Sequence, residues 1–268
     1  MRLRRAREAG ASPTMKTLLL IGIGAGNPDY VTMQAVKALN RVDVFFVLDK
    51  GEAKDDLVKL RTTICERFIT DHAYRIVEAA SPVRDAGTPD YKSGVRSWHD
   101  EKAAIFSRLI ATELKDGEVG GILVWGDPSL YDSTIRVIQQ IVAEGKIAFD
   151  YEVIPGITSV QALAAQHKIA LNAIGEPVHI TTGRKLLEGL PQGVDTAVVM
   201  LDNGSGLRAL AGEDVDIYWG AYLGTPDEVL ASGKLADQVD EIERVRAEER
   251  ARKGWIMDTY LLRRTLRK

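Results

Sequence analysis

The chain has 268 residues, of which 45% are hydrophobic and 27% charged, and a formal net charge of −3. That length suits two α/β domains or one large one and buries roughly three quarters of the unfolded surface, so no staple is required. The balanced charge offers no basic excess for nucleic acid, the longest apolar run is too short to cross a membrane, and the single Cys65 excludes an internal disulfide and suits a reducing cytoplasm. Four scattered histidines, His72, His99, His167 and His179, lack metal-ligand spacing, so no metal is expected.

Residues 1–14, MRLRRAREAGASPT, read as a disordered leader, with Met15 directly before the first strand. Thr17–Ile23 is an apolar strand running into GIGAGNPDY, and Thr32 caps a helix over Met33–Leu39. Val42–Leu48 is a second buried strand, and Leu57, Leu60, Ile64 and Phe68 mark one face of a second helix. Ala80–Ser97, with two prolines and two glycines, reads as a long loop, and Trp98–Leu114 as an amphipathic helix stopped by Asp116-Gly117.

Ile122–Trp125 is a continuously apolar strand ending at Gly126-Asp127-Pro128, and helical spacing returns after Ser133-Thr134. A strand at Tyr151–Ile154 leads into Pro155-Gly156-Ile157-Thr158-Ser159, which opens another helix. This alternation predicts a mostly parallel sheet covered on both faces. From Val178 the pattern changes: strands at Val178–Thr182, Ala197–Leu201 and Asp216–Leu223 predict a second, mixed sheet. The dense charge of Asp237–Arg252 reads as a solvated helix, and Trp255-Ile256-Met257 as a last strand.

Two features carry chemistry. Asp127 places a carboxylate at the carboxyl end of a parallel strand, where open α/β sheets bind ligands; it could equally organise the turn. Gly22-Ile23-Gly24-Ala25-Gly26 follows a strand, and Asp49 ends the next one, as in a dinucleotide site. The spacing is G-x-G-x-G, however, and the sixth position holds Asn27 where close helix packing wants a small residue.

Taken together, GxGxG-N-P-D, the later G-D-P with its helix, P-G-I-T-S, Thr196–Leu201 (TAVVML) and Tyr222–Glu228 (YLGTPDE) resemble the tetrapyrrole methylase family of S-adenosylmethionine-dependent methyltransferases. The likeness runs from Met15 to about Leu235. WHDEKAAIF (Trp98–Phe106), VWGDPSLYDST (Val124–Thr134) and GWIMDTYLLRR (Gly254–Arg264) narrow it to a deacetylating branch serving aerobic cobalamin biosynthesis. The charged stretch before Gly254 departs from the family's usual short ending.

The resemblance implies two unlike αβα domains, 15–157 and 158–268, with the active site in the cleft between them, and a cytoplasmic homodimer. It implies S-adenosylmethionine as cofactor, contacted by Ala25, Gly126, Asp127, Leu130, Thr158, Ser159, Met200 or Leu201, and Gly224. Gly24 and Gly26 would then border a tetrapyrrole substrate. The many carboxylates of such a substrate want guanidinium or ammonium partners, for which Arg184 and Lys185, and less directly Arg96, are candidates. Loss of an acetyl group needs water to add to a carbonyl, and a base poised near neutrality would help. His99 and His179 are the candidates, each also readable as a structural histidine. The rival readings are another ring C-methyltransferase, a nicotinamide-dependent oxidoreductase, and a non-catalytic module that binds the same ligand as a sensor.

Overall fold

Lys16–Gly22 (β1) is the centre of gravity of the N-terminal part: Leu18, Leu19, Leu20 and Ile21 have no exposed surface at all. A strand buried on both faces needs a hydrogen-bonded neighbour on each side and a helical layer above and below, and the computed structural model supplies both. It describes residues 15–49, 55–70, 72–82 and 91–264; the leader expected at 1–14 lies outside them. Two compact units emerge, the first ending at Gly156 and the second running from Ile157 and also taking in Gly24–Tyr30.

The first unit contains, after β1, α1 (Met33–Leu39), β2 (Val44–Asp49), α2 (Asp55–Phe68, from Arg61 onward), β3 (Arg75–Ala80), α3 (Tyr91–Glu113), β4 (Val119–Val124), α4 (Thr134–Glu144) and β5 (Phe149–Ile154). The five strands lie in the order β3-β2-β4-β1-β5 and every pairing is parallel. Leu18 and Leu20 face one side with Phe106, Leu109 and Ile110 of α3 and Val137, Ile138 and Ile141 of α4. Leu19 and Ile21 point the other way and are as deeply buried, like Leu39 of α1 and Ile64 of α2. Thr32 caps α1 as expected, its side chain accepting from the Ala35 amide at 3.1 Å. Burial pushes the Cys65 thiol up to about 11, so it is inert at neutral pH.

The stretch expected to loop from Ala80 to Ser97 is a loop only in part. Tyr91–Ser97 belongs to α3, and 83–90 lie outside the described residues. Gly94 and the serines around it dilute the helical period, whereas Trp98 anchors the segment through Nε1 donating to the Pro82 carbonyl at 2.9 Å. Arg96, placed in that loop from sequence, is therefore an exposed helix residue. β3 was not expected at all. It is an edge strand with alternating half-burial, too weak an apolar pattern to read.

The second unit contains α5 (Ser159–His167), β6 (Val178–Thr182), α6 (Gly183–Leu186), β7 (Thr196–Met200), α7 (Ser205–Ala209), β8 (Val215–Ala221), β9 (Val229–Lys234), α8 (Leu235–Lys253) and β10 (Asp258–Arg264). The strand order is β6-β7-β10-β8-β9, with β6 and β7 parallel and the rest antiparallel, so the sheet is mixed. Val199, Ile217, Trp219, Tyr260 and Leu262 form a core with Leu235, Val239 and Ile242 of α8. On the opposite face α5 packs against β8 and β10. Both units are thus αβα sandwiches of different topology.

Two expectations change here. α8 carries exposed ion pairs, Arg244 with Glu241 and Glu248 among them, but its Leu235–Val239–Ile242–Arg246 stripe is buried and it is not simply solvated. The last strand begins at Asp258, not Trp255: Gly254 ends α8 in the left-handed region, and 255–257 is a link held by the Tyr222 amide on Met257 O (2.9 Å) and the Tyr222 hydroxyl on Trp255 O (2.7 Å). Among the described residues no helix is long and apolar enough to cross a membrane, and no cluster of three or more His, Cys, Asp or Glu is placed to hold a metal.

Candidate active site

Three glycines meet at the carboxyl ends of β1, β4 and β5. A Cβ on Gly22 would lie 2.6 Å from the Gly156 amide nitrogen and 2.9 Å from Gly126 O; one on Gly156 would lie 2.0 Å from Gly126 O. Backbone here touches backbone, which no other residue permits. Asp127 ties the arrangement together. Its Oδ2 accepts from the Gly156 amide at 2.8 Å and its Oδ1 from the Ser129 amide at 2.8 Å and from the Ser129 hydroxyl. Burial alone would push this carboxyl up, but the Ser129 and Gly156 donors outweigh it and hold Asp127 below the usual carboxylate range. Both of its oxygens are engaged within the protein, so Asp127 does organise the turn. Gly126, in the left-handed region, and Leu130, half-buried, lie on the same loop.

That loop ends at a cluster which the sequence did not announce. Lys102 of α3 is only 8% exposed, and its Nζ donates to Ser133 Oγ at 3.1 Å while lying 4.0 Å from the centre of the Trp98 ring. Ser133 holds the N-cap position of α4 but makes no side-chain cap; Asp132 instead accepts from the Thr134 amide at 2.6 Å. His99 packs against Trp98, ring centres 5.6 Å apart. Burial, then Lys102 and Arg136, push its pKa below the ordinary imidazole value, against Asp100 and Asp132. Arg61 of α2 is also lowered by burial, opposed by the Asp132 charge.

In the second unit Gly24 and Gly26 both have positive φ. A Cβ on Gly26 would sit 2.4 Å from Leu223 O, and one on Gly224 would sit 2.6 Å from Tyr30 Cε2 and 2.9 Å from the Asn27 amide. The GIGAGNPDY and YLGTPDE segments therefore pack backbone against backbone, with Ala25 buried between such contacts. Thr158 caps α5 in a reciprocal box with Gln161, and Ser159 Oγ accepts from the Thr259 hydroxyl at 2.9 Å. Met200 ends β7, and Leu201 follows with φ of 54° and 66% exposure, an unusual backbone for a branched apolar residue. The next residue, Asp202, is buried. Its Oδ1 accepts from the Gly204 amide at 3.1 Å and its Oδ2 from the Tyr260 hydroxyl at 2.8 Å, so the loop is held in shape from below.

β6 runs parallel to β7 with Thr182 opposite Met200, so Arg184 and Lys185 of α6 start from the same sheet end as Leu201. Lys185 already pairs with Glu188 at 2.7 Å, an exposed pair worth little. His179 pairs with Ala197 three residues back from that end, about 10 Å along the strand. The strand-end residues are thus grouped within each unit, and His179 is set apart from them.

Loops rich in backbone amides and carbonyls at sheet ends suit a flexible polar ligand bound mainly through main-chain contacts, and nothing in the glycine spacing leaves room for the helix-terminal pyrophosphate site of a dinucleotide fold. Residues 17–238 match the model of the Tetrapyrrole (Corrin/Porphyrin) Methylases. The chain belongs to that family. A precorrin-6A synthase [deacetylating] from Sinorhizobium sp is 49% identical over 257 residues, 96% of this chain and 97% of the relative. The crystal structure of a cobalamin synthesis related protein (CobF) from Corynebacterium diphtheriae superposes with a TM-score of 0.79 at 38% identity, covering 93% of this methylase and 98% of that chain. The uroporphyrin-III C-methyl transferase from Thermus thermophilus, complexed with S-adenyl homocysteine, shares the fold at 16% identity, TM-score 0.54, over 92% of this chain and 91% of its own. With the family established, the oxidoreductase reading of Gly22, Gly24 and Asp49 falls away.

Proposed function

We propose that this methylase is a precorrin-6A synthase of the deacetylating kind, transferring a methyl group from S-adenosylmethionine to C-1 of precorrin-5 with release of acetate, in aerobic cobalamin biosynthesis. The observation that carries the reading is the 49% identity to the Sinorhizobium enzyme across nearly the whole of both chains. The proposed cofactor contacts are Gly126, Asp127 and Leu130 after β4, Thr158 and Ser159 at α5, and Met200 and Leu201 after β7, with Ala25 and Gly224, a set of loop and strand-end residues whose main chain suits a flexible polar ligand.

When bound, S-adenosylmethionine supplies an electrophilic methyl group. The chain's own work is then chiefly positioning, because in-line attack by a ring carbon needs alignment more than acid–base help. Asp127 shapes the loop, Leu201 presents backbone at the sheet end, and Gly24 and Gly26, packed against Tyr30 and Leu223, hold the loop proposed to border the ring. Arg184 and Lys185 are the proposed partners of the ring's carboxylates, Arg96 a less direct one. Acetyl loss does need a proton acceptor. His99, held below the ordinary imidazole value and therefore neutral at pH 7, suits that role better than His179. The enzyme is further proposed to act as a cytoplasmic homodimer without nucleic acid or membrane partners, which light scattering tests for the dimer.

Purified protein incubated with precorrin-5 and methyl-labelled S-adenosylmethionine should yield one acetate per methyl transferred. Methylated ring without acetate would reassign the chain to another precorrin C-methyltransferase. Tight binding of S-adenosylhomocysteine with neither product would leave the sensor.

A further inference from the structure

Acetyl removal makes a demand that methyl transfer does not. As water adds to the carbonyl, its oxygen becomes an alkoxide, and fixed donors aimed at that atom lower the barrier. The acetyl group and the incoming methyl group share one ring carbon, so those donors must lie on or beside the loop that holds the methyl donor. In this chain that loop is Gly126–Ser133, and Ser133 at its end faces Lys102.

We infer that Lys102 and Ser133 form the oxyanion site for the departing acetyl group, beside His99 as the base for water. The inference rests on the reading of this chain as a deacetylating enzyme. Three observations carry it. A serine at an N-cap normally accepts a backbone amide of its own helix; Ser133 makes no such bond, and Asp132 takes the Thr134 amide instead. Its Oγ accepts from Lys102, which leaves its own proton to donate outward. Lys102 is nearly buried and laid on the face of Trp98, an orientation that fixes the position of Nζ, as an oxyanion donor requires.

The chemistry balances. Water oxygen bonds to the acetyl carbon and its proton passes to His99, while the carbonyl oxygen becomes an oxyanion held by Lys102 Nζ and Ser133 Oγ. The ring–acetyl C–C bond then breaks. Acetic acid leaves, and the electron pair stays on the ring carbon, from which it would bond the methyl group of a bound S-adenosylmethionine as the sulfur–methyl bond breaks, with S-adenosylhomocysteine as the leaving group. His99 returns its proton to solvent. The charged groups facing His99 are Lys102 and Asp100 on α3, Arg136 on α4 and Asp132 on the loop, with Arg61 of α2 near Asp132.

The test measures acetate release and methyl transfer from precorrin-5, together with calorimetric binding of S-adenosylhomocysteine, in wild type, Lys102→Met and Ser133→Ala. The expected result is a kcat for acetate lowered about a hundredfold or more by Lys102→Met, a smaller loss for Ser133→Ala, and unchanged S-adenosylhomocysteine affinity in both. Ser133→Ala removes no cap, so its unfolding midpoint should match wild type. In wild type the acid limb of kcat/KM should lie below the ordinary imidazole range, because base activity is lost only as pH falls through the lowered pKa of His99. Normal acetate release by Lys102→Met overturns the inference, as does an acetyl group trapped on Ser133, which would make Ser133 a nucleophile. Wild type that methylates without acetate overturns the functional reading along with it.

Discussion

Arg246 Nε donates to Asp258 Oδ2 at 2.7 Å, with both side chains almost wholly out of water. The same carboxylate oxygen accepts from Trp219 Nε1 at 2.7 Å, and Arg246 Nη2 reaches Asp202 Oδ2 at 3.4 Å. One guanidinium of the charged helix α8 therefore neutralises two carboxylates, one opening β10 and one just past β7. Such a pair adds little net stability over an apolar substitute, but removing one partner strands the other.

Arg246→Met should accordingly cost about 3–5 kcal/mol, read from urea unfolding midpoints. Adding Asp258→Asn should recover part of the loss. Burial raises the Asp258 carboxyl, against the pull of Arg246. The folded form of that group therefore binds its proton more readily than the unfolded one, and stability attributable to it falls as pH rises. Without Arg246 the effect is larger, so the deficit of Arg246→Met should shrink at about pH 5 relative to about pH 8. A deficit independent of pH would show that Asp258 is not the stranded charge.

Asp127→Asn should weaken S-adenosylhomocysteine binding and also cost about 1–2 kcal/mol of stability, because an amide can accept at one oxygen only and Asp127 uses two. The native carboxyl is lowered from 3.8, so its contribution is fully present above that value and lost as pH falls through the lower folded pKa. The variant should therefore unfold less steeply in acid than wild type. Calorimetry and acid titration followed by circular dichroism check the two halves separately.

Gly156→Ala should prevent the ends of β4 and β5 from closing, since its Cβ would sit 2.0 Å from Gly126 O with no side chain able to yield. Gly145→Ala is the control. Gly145, unlike Gly156, has positive φ, but open space surrounds it, so the change should cost only about 1 kcal/mol. Equal melting temperatures for the two variants would remove the close approach as a constraint.

Thr158→Ala removes one half of the capping box with Gln161 and should cost about 0.5–2 kcal/mol. Thr158→Ser should restore most of it. If both variants bind S-adenosylhomocysteine as wild type does, Thr158 serves the helix alone.

The sheets were largely legible because their strands are unusual: four adjacent buried residues in β1 and the apolar run of β4 admit few other readings. Thr32 was found to the residue because capping chemistry is local. β3 and β9 were missed since each is an edge strand with one face half in water, and the last strand was placed at 255–257, wholly before β10, since Trp255 and Ile256 are apolar without being paired in the sheet. At the site, glycine and proline marked the loops, but the partners of those loops come from elsewhere in the chain. Gly22 with Gly156, Asp127 with Gly156, and Lys102 with Ser133 are joined only by the fold. Likewise a lone arginine in a run of charges, Arg246, gives no hint of burial.

The order of the first sheet also sets when the protein can begin to fold. β1 is made first, yet its neighbours are β4 and β5, and Thr17 finds its partner Val119 about a hundred residues later. At a synthesis rate of roughly 5–20 residues per second, KTLLLIG leaves the ribosome several seconds before anything can pair with it. During that interval the most apolar strand of the enzyme is an unpartnered edge on a nascent chain. Yield in a producing cell should therefore respond to how well the first strand is shielded until the fourth arrives.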